Sequence, residues 1–364
     1  MSRGSTGRRL STHTRRTSGE LCWTKDYLRP VRARAFLALI LVSSAMVGQM
    51  RARTLSSYQI IELPLKPWHV NNSGLVAGKT AGNQAAIWSR HRGLQLLLPK
   101  LKRFSESEAR ASNAAGYVVG FATGGDGVAA FAYKNGTVVW LPGRNSKALS
   151  VNDSDQVVGE SEIDGKPPVA AVLWKDGKPD SLGGCCGGVA NGINHRGQII
   201  GNLYDEAGHY HAFLWDSAHG VQYLDPSSGY SSAIAINNTG HVLLQEPERG
   251  VFVYRSPDMI VRLTIPDQQP AEGRAINDGD EVVGAYGPYF DAERAFLWSE
   301  KEGFRDLNDL IPAKSGWKLQ AATGINDGGE IVGFGDHHGK GDAGFLLVPL
   351  MPAKKSSPVK IRQK

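Results

Sequence analysis

The chain has little cysteine: three in 364 residues, at Cys22, Cys185 and Cys186. That excludes a disulfide framework, and no CxxC or Cys/His spacing of a zinc site occurs. Cys185 and Cys186 are neighbours in "GGCCGG". A bond between them would be strained, because adjacent Cα atoms lie about 3.8 Å apart and disulfides usually need about 4.4 Å or more. Two free thiols are therefore expected. G-x-S-x-G, P-loop and H-E-x-x-H motifs are absent, which removes the ordinary signatures of nucleophilic, nucleotide and zinc chemistry. No cofactor is implied.

A membrane-length apolar run is also lacking. The stretch "AFLALILVSSAMVG", Ala35 to Gly48, would span about 21 Å as a helix, against a hydrocarbon core of about 30 Å. It follows a basic run and ends in small residues, the layout of a secretory signal peptide. Ser43 and Ala45 fit a cut that makes Met46 the first mature residue. Export to the periplasm or outside is expected, with no stable membrane span after cleavage; an uncleaved signal anchor is the alternative.

The body of the protein lacks a strong charge bias. The formal net charge is +6, but residues 1–34 carry nine Lys/Arg and two acids, and five Lys/Arg follow Met351. Removing those contributions of +7 and +5 leaves −6 between Met46 and Leu350. A mildly acidic body offers no electrostatic footprint for nucleic acid. The organisation expected is a basic leader over 1–34, a signal-peptide region over 35–48, a folded body over 54–350 and a basic tail over 351–364, leader and tail both disordered.

What the sequence has in quantity is glycine, 44 residues, and a repeat. Aligned on one asparagine, seven units begin at Asn71, Asn113, Asn152, Asn194, Asn237, Asn277 and Asn326, spaced 42, 39, 42, 43, 40 and 49 residues apart. Seven residues on stand Gly78, Gly120, Gly159, Gly201, Leu244, Gly284 and Gly333. Three residues after each asparagine comes Gly or Asp, types that tolerate the left-handed conformation closing a three-residue hairpin. Apolar, β-branched flanks make the neighbouring segments strands. A third strand ends on Trp88, Tyr133, Trp174, Trp215, Tyr254, Trp298 or Leu347, two places after Phe in five units and three after Ala in five. These aromatics are read as structural, each worth about 3–5 kcal/mol when truncated. A fourth strand closes on Leu97, Leu141, Leu182, Leu224, Leu263 or Leu307.

Four antiparallel strands in about 42 residues match a propeller blade. The seventh unit lacks a fourth strand, whereas "YQIIELPL" from Tyr58 has that pattern and precedes the first unit. The expected fold is all-β, a seven-bladed β-propeller closed by this N-terminal strand; six blades or a β-solenoid are the alternatives.

The units resemble the bacterial HAF-repeat family, whose His-Ala-Phe stands here as His211-Ala212-Phe213. The final unit, with D-L-N, G-W-x-L, A-x-G-I-N-D and F-L-L-x-P, follows the family's closing pattern. The resemblance covers about Tyr58 to Pro349 and implies an exported bacterial protein with no activity to carry over. The basic tail departs from members that end in a surface-sorting signal.

Function is expected in loops that differ between repeats, those joining second to third strands and those between blades, which share one face. The fourth unit offers Tyr204, Asp205, His209 and Tyr210, and the sixth offers Tyr286, Tyr289, Asp291, Glu293 and Arg294. Tyrosine beside carboxylate suits glycan or peptide contact. The segment "GDHHGKGD" holds Asp336, His337, His338 and Asp342, residue types that can bind a divalent cation. Neighbouring side chains in an extended segment point opposite ways, so no metal is assigned there. The favoured reading is a non-enzymatic binding scaffold for glycan or protein. A glycan hydrolase or lyase using Asp205, Asp291 and Glu293, which would need two carboxylates roughly 5–10 Å apart, and a structural envelope component are the alternatives.

Overall fold

The structure is a computed structural model, and it describes residues 57–98, 103–224, 229–247, 249–288 and 293–350. The basic leader, the apolar segment 35–48 and the basic tail lie outside the described residues. None of the described helices is long and apolar enough to cross a membrane.

Strands fall into seven four-stranded antiparallel sheets. Blade 1 is β2(Lys66–Val70), β3(Val76–Lys79), β4(Ala85–Ser89) and β5(Gly93–Leu96). Blades 2 to 6 repeat that order with β6(Glu106–Ser112) to β9(Thr137–Trp140), β10(Arg144–Val151) to β13(Lys178–Ser181), β14(Gly188–Ile193) to β17(Gly220–Tyr223), β18(Ser232–Ile236) to β21(Met259–Arg262) and β22(Ala271–Ile276) to β25(Gly303–Asp306). Blade 7 has β26(Trp317–Ile325), β27(Ile331–His337) and β28(Lys340–Pro349), and takes its outer strand from the start of the described chain. That strand, β1(Tyr58–Leu63), runs antiparallel to β28 with Tyr58 opposite Pro349 and Leu63 opposite Gly344. The ring is therefore a seven-bladed propeller, and the edge that β28 would otherwise expose is paired.

The core confirms closure independently. Among the described residues the buried apolar side chains form seven clusters, one at each junction between neighbouring blades. Seven blades in a row would have six junctions. The seventh cluster joins Val332 and Leu346 of blade 7 and Leu63 of β1 to Val70, Val76 and Ala86 of blade 1.

The repeated asparagine has a larger role than starting a turn. Each begins a tight hairpin between first and second strands, as where Gly74 N donates to Asn71 O at 3.0 Å. The expected left-handed residue follows even where it is Asp, with φ of +58° at Asp155 and +57° at Asp280. The side-chain Oδ1 caps the turn, accepting from Arg196 N and Gln198 N at Asn194. The Nδ2 then donates to the main-chain carbonyl of the next blade's asparagine. Asn71 reaches Asn113, which reaches Asn152, then Asn194, Asn237, Asn277 and Asn326, and Asn326 returns to Asn71 O at 3.1 Å. All seven are buried, so the bonds form a dry closed ring.

The aromatic positions sort differently from the sequence reading. Phe131, Phe213, Phe296 and Phe345, two residues before the expected anchor, are wholly buried. Trp88, Trp174, Trp215 and Tyr254 remain part-exposed, and Trp174 spends its indole N–H on Pro142 O at 2.8 Å. The phenylalanines are buried members of the clusters between blades, and those four ring systems pack against such clusters from their part-exposed edge. The small residue behaves as expected: Ala85, Ala130 and Ala212 are fully buried and their N–H groups donate to Ser107, Ser146 and Ser231 of the next blade's side.

Candidate functional site: the channel mouth

The glycine seven residues after each asparagine marks where the site is built. A Cβ on Gly120, Gly159, Gly201 or Gly284 would stand 1.9 Å from a carbonyl oxygen of the adjoining inner strand. The inner strand comes so close because it is bulged. Three residues before its asparagine, every blade's first strand skips one residue in its pairing with the second, and these are Trp68, Arg110, Leu149, Asn191, Ile234, Arg274 and Thr323; blades 3 and 7 have a further irregularity nearer the strand start. A bulge leaves its extra residue unpaired and re-aims the side chain. Here seven bulges aim seven side chains at the axis, where with Phe334 they line a cavity of about 510 Å³. Toward the other face a continuous space of about 320 Å³ is ringed by the asparagine turns.

The seven bulge residues do not repeat, so the channel wall is asymmetric. Its polar part is Arg110, Arg274, Asn191 and Thr323, beside the aromatic Trp68 and Phe334. The Arg110 guanidinium lies over Trp68 with 5.0 Å between charge centre and ring, Lys66 Nζ stands 3.9 Å from the centre of Phe334, and Arg274 approaches the same ring at 5.9 Å. Stacking of this kind holds a cation with part of its hydrogen-bonding capacity unused. Glu108 and Glu272 flank the arginines, with Arg110 Nη1 3.4 Å and Arg274 Nη2 3.3 Å from their carboxylates. Burial pulls the pKa of Arg110 below the usual guanidinium value, and Glu108 offsets part of that. Trp68 Nε1 is buried without a hydrogen-bond partner. Leu149 and Ile234 supply apolar wall on the remaining side.

The loop residues expected from the sequence fall into three places. On blade 4, Asp205 begins a second Asx turn, its Oδ1 accepting from Ala207 N and His209 N at 2.9 Å. Its Oδ2 meets His209 Nδ1 and His211 Nε2, both at 3.2 Å. Burial pushes the Asp205 carboxyl up, but the hydrogen bonds from His211 and His209 outweigh it and hold the group at about 2. Tyr210 and His209 pack edge-on against Tyr230, with centroids 5.2 and 5.0 Å away, and Tyr204 is exposed. Cys185 and Cys186 are free thiols, Cys185 Sγ standing 3.9 Å from Tyr204 O.

On blade 6, Tyr286 and Arg294 are committed internally. Tyr286 Oη donates to Asp306 Oδ2 at 2.8 Å, Arg294 Nε donates to the same oxygen, and the Tyr286 ring packs edge-on at 4.8 Å on Phe304. Burial and the bond to Asp306 push the Tyr286 phenol up to about 12. Tyr286 and Glu293 also border a cavity of about 710 Å³ between blades 5 and 6, beside Arg262, Gln268 and Glu272. Burial raises the Glu293 pKa. Tyr289 and Asp291 lie outside the described residues.

On blade 7, the Asp/His segment is divided among separate partners. His337 stacks flat on Trp317 at 4.4 Å and its Nδ1 meets Glu62 Oε2 at 3.0 Å. Asp342 accepts from Lys66 Nζ at 2.8 Å. His338 has φ +54° in the hairpin turn, and Asp336 Oδ1 is buried without a partner.

Sequence reasoning passes over the seven bulge residues because they sit inside strands whose other positions repeat. The signal available was the contrast itself: three residues before an invariant asparagine, the units read Trp, Arg, Leu, Asn, Ile, Arg and Thr.

No family model matches the chain, and no curated protein matches it. Solved structures do. The β-propeller domain of the Trilobed protease from Pyrococcus furiosus superposes with a TM-score of 0.55 at 11% identity, over 81% of this chain and 100% of that one. A putative TolB from Agrobacterium tumefaciens covers 72% of this chain and 96% of its own at 13% identity and TM-score 0.45. The WD40 propeller domain of Doa1 covers 80% and 97% at 10% identity and TM-score 0.47. The first likeness shows the fold, and the Pyrococcus domain is described as an open velcro, whereas here β1 seals blade 7. The chain is a seven-bladed β-propeller.

Proposed function

We propose that this chain is an exported propeller of the HAF-repeat type that serves as a non-catalytic binding scaffold, holding its ligand at the loop-face mouth of the central channel. The observation that carries this reading is the layer of seven bulge residues. The scaffold positions are repeated and consumed by the ring, whereas the bulge positions vary and converge on one concavity. Trp and Arg dominate binding hot spots in general, and Trp68, Arg110 and Arg274 all line this cavity.

A protein segment fits this chemistry better than a glycan. Leu149 and Ile234 offer apolar wall for a side chain, and two stacked arginines suit carboxylate or main-chain carbonyl acceptors. The leader and apolar segment at residues 1–48 support export, since their order is that of a secretory signal. The carboxylate arrangement of a glycan hydrolase draws no support from Asp205, whose Oδ2 is engaged by two histidines.

Peptide and glycan arrays probed with the purified protein, followed by titration of the hits, test the proposal. Trp68→Ala, Arg110→Ala and Arg274→Ala should each weaken binding by about 30-fold, the equivalent of a 2 kcal/mol hot spot. Tyr204→Ala on blade 4 should leave it unchanged. Hits that survive all three mouth substitutions and vanish with Tyr204→Ala would move the site to the blade-4 rim.

A further inference from the structure

We propose that Asp205, His209 and His211 form a binding site for one divalent transition-metal cation of the zinc class. The three donor atoms lie within 4.8 Å of one another, and the shared oxygen, Asp205 Oδ2, is 3.2 Å from both His209 Nδ1 and His211 Nε2. Metal–ligand bonds of about 2.0–2.2 Å at tetrahedral angles put neighbouring donors about 3.3 Å apart. The carboxylate and each imidazole already stand at that separation. Two imidazoles and one carboxylate suit zinc, nickel, copper or iron over calcium or magnesium, which prefer all-oxygen sets.

The supporting structure holds the donors in place. Asp205 uses its other oxygen, Oδ1, to cap the turn through Ala207 N and His209 N, so that Oδ2 is the atom left to ligate. The turn closes through Asp205 N to His209 O at 3.0 Å, which fixes the aspartate relative to the first histidine. His211 is positioned by β16(Tyr210–Asp216), where it pairs with Leu203 of the neighbouring strand. The faces of the two rings are set by tyrosines, Tyr230 edge-on to His209 at 5.0 Å and Tyr223 edge-on to His211 at 5.8 Å. His209 and Asp205 keep about 40% and 39% of their side-chain surface exposed and His211 22%, so an ion has an entry path and room for water in its open positions. The site does not depend on the mouth proposal, since it lies on the outer part of blade 4 and shares no residue with the bulge layer.

The test is calorimetric titration of ZnCl₂ into the chelator-treated full chain carrying Cys22→Ser, Cys185→Ser and Cys186→Ser, which removes thiols as competing ligands. One equivalent should bind with a dissociation constant in the micromolar range or tighter. His211→Gln and Asp205→Asn should each weaken binding at least 100-fold, more than the 10–100-fold typical of an outer-sphere partner. Asp205→Asn keeps the turn cap, and thermal melts of both variants report whether the blade remains folded. His219→Gln, at a histidine 2.9 Å from Asp216 on the same blade, should leave affinity unchanged. Co²⁺ in place of zinc should give visible ligand-field absorption that the same two variants lose. Absence of binding up to millimolar zinc, or the parent's affinity retained in His211→Gln or Asp205→Asn, would overturn the assignment.

Discussion

The asparagine ring makes a demand that a turn former alone would not. At Asn194, which is 2% exposed, Asn194→Asp preserves everything the hairpin needs: an oxygen to accept from Arg196 N and Gln198 N, both at 3.0 Å. It removes the donor to Asn237 O at 3.1 Å and the bond to Gln198 Oε1 at 2.9 Å. Each of the two lost hydrogen bonds costs about 0.5–1.5 kcal/mol, while the Asn237 carbonyl keeps its turn bond from Gly240 N at 3.1 Å. The sum is about 1–3 kcal/mol, before any cost of placing a carboxylate against a carbonyl oxygen. If the asparagine acted only through its turn, Asn194→Asp would be nearly neutral, since Asp serves that turn position well. Urea denaturation followed by tryptophan fluorescence separates the two cases. The pH dependence adds a second handle with a definite sign. Burial beside a carbonyl raises the new carboxyl's folded pKa above its unfolded value near 3.9. The variant's deficit should therefore shrink below pH 4, where the protonated group donates to Asn237 O, and grow as pH rises through the folded pKa. A variant within 0.5 kcal/mol of the parent at pH 7.5 would refute the ring's contribution.

Further expectations follow from the bulge and from blade 6. Gly201→Ala puts a Cβ 1.9 Å from Val189 O and must displace backbone, whereas Gly125→Ala meets nothing within 4 Å; the first should lose about 3 kcal/mol in urea titrations and the second almost nothing. Tyr286 should ionise at about 12, so the stability it lends through Asp306 is complete below pH 10 and lost between about 10 and 12. Spectrophotometric titration at 295 nm checks this, and Asp306→Asn should move that phenol back toward the ordinary tyrosine value.

Blade count, strand order and closure were legible because each leaves a mark on one strand at a time. Asn and Gly recur at fixed offsets, and a fourth strand missing at Pro349 reappears at Tyr58. The functional layer was not legible in that way. A bulge at Arg110 or Arg274 is a property of the register between two strands, and neither strand alone shows a break in pattern. The same limit hid the ring, since the Nδ2 of Asn113 finds its acceptor 39 residues away on another blade. On the rim, Asp205 and His209 stood out as loop polarity, while His211 read as part of a repeat motif because it lies on a strand. Tyr286 and Arg294 looked available for a ligand, yet both are spent on Asp306 in the fourth strand, a partner set by blade geometry.

Everything about the channel depends on the ring being closed by β1. Hydrogen–deuterium exchange of the full chain, read on the peptide covering Tyr58 to Leu63, tests that directly. If β1 pairs with β28 as Tyr58 with Pro349 through Leu63 with Gly344, the amides facing β28 should exchange as slowly as those of the other outer strands, such as β17 in blade 4. Exchange of that peptide within seconds, with β17 still protected, would mean an open ring and would contradict the account.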